Sequence, residues 1–127
     1  MRKKLILSAL LGLLALGAAA QNISFGESIP ADAVKVLRPR LEAMLKGAGL
    51  ADVPLVADAT VTDRMETSGS IAQIALTLDL KLASGDVSQV FPLKGVGADD
   101  TDAWVRASKQ FLPMSQASKD FVQKLKQ

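Results

Sequence analysis

The sequence predicts one small α+β domain: a helix, a three-stranded antiparallel meander, and two C-terminal helices packed on one face of the sheet. Apolar residues recur at helical spacing before the middle of the chain and again near its end, and they alternate with polar residues in between. The links between the alternating segments are too short for parallel crossovers, which favours antiparallel pairing.

The first twenty residues have the three parts of a secretory signal peptide. These are a basic start at residues 2–4, an apolar stretch at residues 5–16, and small residues before a cleavage point that we place between Ala20 and Gln21. The apolar stretch falls short of the roughly 20 residues that span a bilayer, and no cysteine is present to carry a lipid. We therefore expect no membrane anchor after cleavage.

Loss of the signal changes the charge of the protein. The full chain has 15 basic and 13 acidic residues, so removal of the three basic residues at 2–4 leaves residues 21–127 with a net charge of −1. A near-neutral surface does not favour nucleic acid or anionic membranes as partners. We expect residues 21–127 to form a single exported domain, periplasmic or secreted.

The first helix is predicted within residues 28–46, where apolar side chains share one helical face. Pro39 interrupts the segment, and an interior proline loses one backbone hydrogen bond. We expect a kink there, or a short turn followed by a helix that starts near Arg38. Gly47 and Gly49 end the helix.

Three strands are predicted at residues 53–62, 73–82 and 87–96, with Pro54 at the start of the first. Pro92 places the third strand at a sheet edge or a bulge, because proline donates no hydrogen bond to a ladder. Residues 83–86 have the composition of a hairpin turn. The polar residues 63–70 are expected to form a loop.

Two helices end the chain. Acidic residues at 99–102 suit the positive end of the first helix dipole, and Pro113 ends that helix. The face that meets the core is lined by Trp104, Ala107 and Phe111. Core packing is favoured over an aromatic platform for sugar or peptide, because these three share helical spacing. The last helix, at residues 115–126, offers Phe121, Val122 and Leu125 to the core.

The chain has no histidine, cysteine or tyrosine. These absences exclude serine–histidine and cysteine–histidine nucleophilic sites, histidine acid–base catalysis, and the usual ligand sets of zinc, copper and haem. We therefore expect no catalytic residue, no cofactor and no metal site. The alternative is a small glycan hydrolase that uses two carboxylates. Asp58, Asp79 and Glu66 are available for it, and ordinary solvation explains all three.

Gly95 and Gly97 precede the acidic helix start, a position where glycines also occur in phosphate-binding loops. The third glycine of such loops is replaced by Asp100, and the acidic residues at 99–102 would repel phosphate. A tight turn into a capped helix is therefore favoured. The same four residues lack the alternating spacing and distal glutamate of a calcium loop, which favours capping over calcium binding.

The predicted contact surface is part of the 63–70 loop, because loops held by a rigid sheet usually carry function. It consists of Met65, Glu66, Thr67 and Ser68. With export and the missing catalytic residues, it predicts a non-catalytic interaction module that binds an envelope protein or a glycan.

The motif at residues 94–97, Lys-Gly-Val-Gly, is followed by Ala103 and Ala107 in the next helix. In this the chain resembles small exported proteins of uncharacterised function from Bacteroidota-type bacteria, and residues 25–31 resemble their mature start. The layout is also similar to envelope-assembly lipoprotein domains, whose lipid-bearing cysteine is missing here. The resemblance implies an exported address and a fold, without an activity or a site residue. The chain departs from these proteins at Pro39 and at residues 63–70.

Overall fold

The computed structural model describes residues 22–127, and these form four strands and three helices. In chain order they are β1 (Ile23–Phe25), α1 (Ala31–Gly47), β2 (Leu55–Thr67), β3 (Gln73–Ser84), β4 (Val87–Gly97), α2 (Asp100–Ser108) and α3 (Gln116–Leu125). The predicted signal peptide at residues 1–20 and its cleavage point between Ala20 and Gln21 lie outside the described residues.

The strands form one mixed sheet in the order β1-β2-β3-β4. The α+β class and the antiparallel meander of β2, β3 and β4 are confirmed. The prediction of three strands is wrong, because β1 pairs with the start of β2 in parallel and α1 is the crossover between them. With three residues, β1 is too short to show an alternating pattern. Asn22 fixes its start by donating to the carbonyl oxygens of Ala51 and Val53, both at 2.9 Å.

The helices cover one face of the sheet, and the buried apolar residues form one core between them. The sheet contributes Leu55, Ala57, Ala59, Ile74, Leu76, Leu78, Leu80, Leu82, Phe91 and Leu93 to that core. Phe91 meets Phe111 and Phe121 edge to face, with ring centroids 5.2 Å and 6.2 Å apart. The predicted core role of Trp104, Ala107 and Phe111 is confirmed, since all three are buried.

Helix α1 continues through Pro39, so the prediction of a turn followed by a helix from Arg38 is wrong. Both Pro39 and Lys35, whose carbonyl loses its helical partner, lie on the exposed side of the helix. Water can satisfy that carbonyl, which lowers the cost of the proline. Leu37 and Leu41 are buried on the opposite side and hold the helix against the core on either side of Pro39.

The prediction of a loop at residues 63–70 is wrong for residues 63–67 and is confirmed for residues 68–70. Met65, Glu66 and Thr67 belong to β2, and Ser68 lies in the short connection at residues 68–72. A register shift between Val61 and Asp63 interrupts the alternation of β2, which explains why its second half looked like a loop.

Three further predictions, for Pro92, the β3–β4 turn and the α2 cap, agree with the structure. Pro92 lies in β4, an edge strand, and Gly85 adopts a φ of 60° in the turn between β3 and β4. The Asp99 side chain caps α2 by accepting from the backbone N–H of Asp102 at 2.8 Å. Helix α2 ends at Ser108, earlier than the predicted end at Pro113.

Gly95 and Gly97 belong to strand β4 and do not form the predicted tight turn. Their absent side chains let α2 pack directly on the strand. A Cβ atom at Gly95 would lie 2.3 Å from the Ala103 carbonyl oxygen and 2.3 Å from the Ala107 nitrogen. The Gly-Val-Gly motif and the two helix alanines are therefore the two sides of one close backbone contact.

Replacing Gly95 by alanine is expected to lower the free energy of unfolding by about 2 kcal/mol or more. The added methyl group would overlap with backbone atoms of α2, which cannot change rotamer as a side chain can. Gly47→Ala is the matched control, since a Cβ there meets nothing within 4 Å. It should leave stability within about 1 kcal/mol or raise it. Urea unfolding of both variants measures the difference, and equal losses would contradict the role given to Gly95.

Candidate functional site

The sheet face opposite the helices, here called the open face, is formed by side chains of β2, β3 and β4. Its side chains lie in rows across the three strands, in the register of the two antiparallel pairings. The rows are Val56-Ala83-Ser88, Asp58-Lys81-Val90, Thr60-Asp79-Pro92, Asp63-Thr77-Lys94 and Met65-Ala75-Val96. The middle rows are polar, and apolar side chains collect at the two ends.

A β-bulge decides which side chains of β2 reach the open face. Before it, alternate residues such as Ala57 and Ala59 face the helices. The register shifts between Val61 and Asp63, and beyond that point the alternation is reversed. Met65 therefore lies in an open-face row with Ala75, whereas Arg64 is paired with buried Leu76 on the helix side.

The last row, Met65-Ala75-Val96, is called the apolar row. Met65 is 63% exposed and Val96 41% exposed, although both belong to regular strands. Ile71, in the adjoining connection at residues 68–72, is 72% exposed. The row lies at the end of the sheet where the β2–β3 hairpin extends past β1, and this segment, residues 61–77, is called the hairpin arm.

Arg64 ties the hairpin arm to the start of α2. Its Nε donates to Asp100 Oδ1 at 3.0 Å, and its Nη1 lies 3.3 Å from Glu66 Oε1. The hydrogen bond to Asp100, followed by the charge of that carboxylate, raises the pKa of Arg64 above its ordinary value. The predicted contact residue Glu66 is therefore part of an ion-pair cluster on the helix side, away from Met65.

The acidic residues at the start of α2 each have an identified partner. Asp99 caps the helix and Asp100 binds Arg64. Asp102 accepts from the Ala98 N–H at 3.0 Å and pairs with Arg106 at 3.2 Å. The hydrogen bond from Ala98, reinforced by the one from Arg106, lowers the pKa of Asp102. Capping by Asp99 is the role that the sequence predicted.

The carboxylates considered for glycan hydrolysis line neither of two clefts found among residues 22–127. Asp58 and Asp79 lie in neighbouring rows of the open face. Asp58 Oδ1 accepts from the Ala59 N–H at 2.9 Å and lies 2.9 Å from Ser28 Oγ. One cleft of about 240 Å³ is lined by Asn22, Ile23, Glu42, Leu45, Lys46 and Ala51. The other, of about 290 Å³, lies between the end of α1 and α3. Neither is lined by Asp58, Asp79 or Glu66.

The aromatic side chains all belong to the helix side of the sheet. Phe91, Trp104, Phe111 and Phe121 are buried, and Phe25 is half-buried under the guanidinium of Arg38, 4.9 Å from its ring centre. Among residues 22–127 no group of three or more acidic residues is arranged to hold a metal ion. None of the helices described is both long and apolar enough to cross a membrane.

No protein-family model matches this chain, and no curated protein and no solved structure matches it either. The interpretation of the site therefore depends on the geometry and chemistry of its own residues. The resemblance to small exported bacterial proteins stays a prediction.

Sequence reasoning chose Met65, Glu66, Thr67 and Ser68 as one contact surface, and the structure separates them. Met65 and Thr67 lie on the open-face side of β2, Glu66 lies on the other side, and Ser68 is in the connection. Val96 was missed as a member of the apolar row. The sequence offered a signal for Val96, because Val96 lies between Gly95 and Gly97. Two glycines on one side of a strand indicate close packing on that side, so the residue between them faces the other way.

Replacing Arg64 by alanine is expected to loosen the hairpin arm with little global effect. The Arg64 side chain is 44% exposed, and ion pairs so open to solvent contribute little to global stability. Amide exchange at residues 63–67 and 73–76 should become several-fold faster, as measured by hydrogen exchange. The control is Arg106→Ala, which breaks an ion pair within α2. Unchanged exchange in the Arg64 variant would argue against the anchor.

The ionised side chain of Asp102 stabilises the folded protein at neutral pH. Because the pKa of Asp102 is lowered in the folded state, this stabilisation is fully present above the ordinary aspartate pKa of about 3.9. It is lost as the pH falls through the lower pKa of the folded state. Asp102→Asn should be less stable than the wild type at pH 7, and the two unfolding curves should converge in strong acid. The control Asp52→Asn, at another exposed carboxylate, should leave stability at pH 7 close to that of the wild type. A pH-independent gap for Asp102→Asn would refute the assignment.

Proposed function

We propose that this chain is an exported, non-catalytic protein-binding module whose contact surface is the apolar row and the adjoining Ile71. One observation carries the proposal: Met65 and Val96 are exposed in register on regular strands, on the face of the sheet opposite the three described helices. Solvent-facing positions of such strands are ordinarily polar, and clustered exposed apolar side chains are typical of contact sites.

A protein partner is favoured over a glycan by the position of the aromatic residues. Sugar rings are commonly held on exposed aromatic side chains, and the five aromatic residues of the chain lie on the helix side of the sheet. The open face offers aliphatic, methionine and charged side chains instead. This composition suits a flat protein surface, because methionine adapts its shape to a partner.

Export is the second part of the proposal, and it is supported by the basic start, apolar stretch and small-residue end of residues 1–20. The absence of histidine and cysteine supports a role without catalysis. A domain of this kind would act in the periplasm or outside the cell by holding another envelope protein in place.

The proposal predicts that polar isosteres in the apolar row weaken partner binding. Met65→Gln combined with Val96→Thr keeps the side-chain shapes and should lower recovery of a co-purifying envelope protein about tenfold, as expected for the loss of two apolar contacts. The matched control is Val56→Thr with Val90→Thr, at exposed positions in the rows at the other end of the open face. Quantitative pull-down from envelope extract compares the two.

Equal recovery with both double variants would remove the apolar row as the contact surface. Failure of the wild-type protein to retain any partner from envelope or secreted fractions would remove the proposed function itself.

A further inference from the structure

The outer edge of β2 lacks a strand partner over most of its length within the part of the chain that the structure describes. β1 pairs only with Leu55, Val56 and Ala57. Ser28 Oγ then donates to the Ala59 carbonyl oxygen at 2.8 Å, after which the chain turns into α1. Residues 60–67 continue as a strand that is paired with β3 on one side alone. Their outward N–H and C=O groups form a template for another strand.

The other edge of the sheet is protected against such pairing. Pro92 stands in the middle of β4 and has no N–H to donate, and exposed Lys94 follows two residues later. Gln89 in the first half of β4 donates to the Ala117 carbonyl oxygen at 2.9 Å and so ties α3 beside the strand. Proline and lysine are common protections of an edge strand. Neither residue type occurs in residues 60–67.

The free edge is self-complementary in sequence. Residues 63–67 read Asp-Arg-Met-Glu-Thr, and when two copies pair antiparallel about Met65, each Arg64 lies opposite the Glu66 of the partner copy. Asp63 then lies opposite Thr67. Sliding one copy by two residues places Arg64 opposite Arg64, or Glu66 opposite Glu66. Opposite charges in facing positions stabilise a strand pair and like charges destabilise it, so charge selects the register centred on Met65.

We propose that two copies of this chain associate through residues 63–67 of β2, forming a continuous eight-stranded sheet with a two-fold axis at Met65. On the helix side of the dimer, the two Arg64 and the two Glu66 side chains form one cluster. Each charge in it is next to the opposite charges of its own copy and of the other copy. Each Arg64 already lies 3.3 Å from its own Glu66 and keeps Asp100 as a second partner. Beyond the paired segment, residues 60–62 meet the connection at residues 68–72 of the other copy, which contains no charged residue.

This association extends the binding surface without depending on it. Since the two-fold axis is perpendicular to the sheet, both open faces point the same way, and the two apolar rows join into one. The combined row reads Val96-Ala75-Met65-Met65-Ala75-Val96 across the two copies. Met65, exposed in one copy, becomes its centre.

Charge reversal tests the register. Arg64→Glu and Glu66→Arg each place like charges opposite one another in a self-pair, so each variant alone should self-associate at least about tenfold more weakly than the wild type. Mixed together, the two variants restore both opposite-charge pairs and should form a heterodimer. The double variant Arg64→Glu with Glu66→Arg should regain self-association. Sedimentation velocity over a range of concentrations compares the wild type, the two single variants, their mixture and the double variant, since so small an interface is expected to associate weakly.

Disulfide formation tests the pairing with the native charges in place. The chain has no cysteine, so Met65→Cys introduces a single thiol that lies directly opposite its copy in the dimer, within the reach of a disulfide. In a glutathione buffer it should form intermolecular disulfides at least about tenfold faster than Val56→Cys, a similarly exposed position on the same strand.

The proposal is overturned if the mixed charge variants fail to associate, or if the Met65→Cys variant crosslinks no faster than the Val56→Cys variant. A wild-type dimer that is indifferent to charge reversal would place the interface elsewhere and overturn it equally. No partner protein is present in either experiment, so these outcomes leave the proposed function untouched. Conversely, an intact dimer that retains no envelope protein would count against the proposed function alone.

Discussion

The close contact between β4 and α2 is the constraint on which the site depends. Gly95 and Gly97 let the helix backbone reach the strand, and Ala103 and Ala107 add little volume on the other side. The contact places the N-terminus of α2 beside the hairpin arm, since Gly97 pairs with Ile74. Asp100 can then reach Arg64, which holds the arm and fixes the apolar row at its open face. The Gly-Val-Gly motif, which in the sequence is similar to part of a phosphate-binding loop, therefore allows α2 to pack closely on β4.

Alternation predicted β3, β4 and the first half of β2, because buried apolar residues there, mainly leucines, follow a period of two. It failed where local geometry changes the period. The bulge between Val61 and Asp63 reverses the faces of β2, and a pattern of period two cannot survive an inserted residue. β1 is too short to have a period. Pro39 was predicted to kink α1 or to follow a turn, and only the turn is ruled out, because α1 runs through Pro39. The exposed position of Pro39 lets water replace the lost hydrogen bond.

The candidate site was predicted in part. Met65 was chosen because residues 63–70 looked like a loop, and it is exposed for a different reason, namely that the bulge directs it to the uncovered face. Glu66 was placed in the same surface, although a neighbouring residue in a strand points to the opposite side. The role of Arg64 depends on Asp100, 36 positions away in the chain. Contacts between residues so far apart in the chain depend on the topology of the sheet. The sequence predicted that topology without its parallel strand β1.

The two edges of the sheet differ in their protection against strand pairing, and this difference limits the kind of assembly that the fold permits. Association of two copies through β2 consumes the free edge of both, and the outermost strands of the combined sheet are then the two β4 strands. Each carries Pro92 at its centre and Lys94 beside it, so neither offers a continuous ladder to a third copy. A two-fold pairing through one self-complementary edge is also closed by symmetry, whereas a β2-to-β4 contact would be head-to-tail and open-ended. The protections on β4 therefore do more than prevent aggregation of the monomer, because they limit the assembly to two copies and leave the joined apolar row exposed at the centre of its open face.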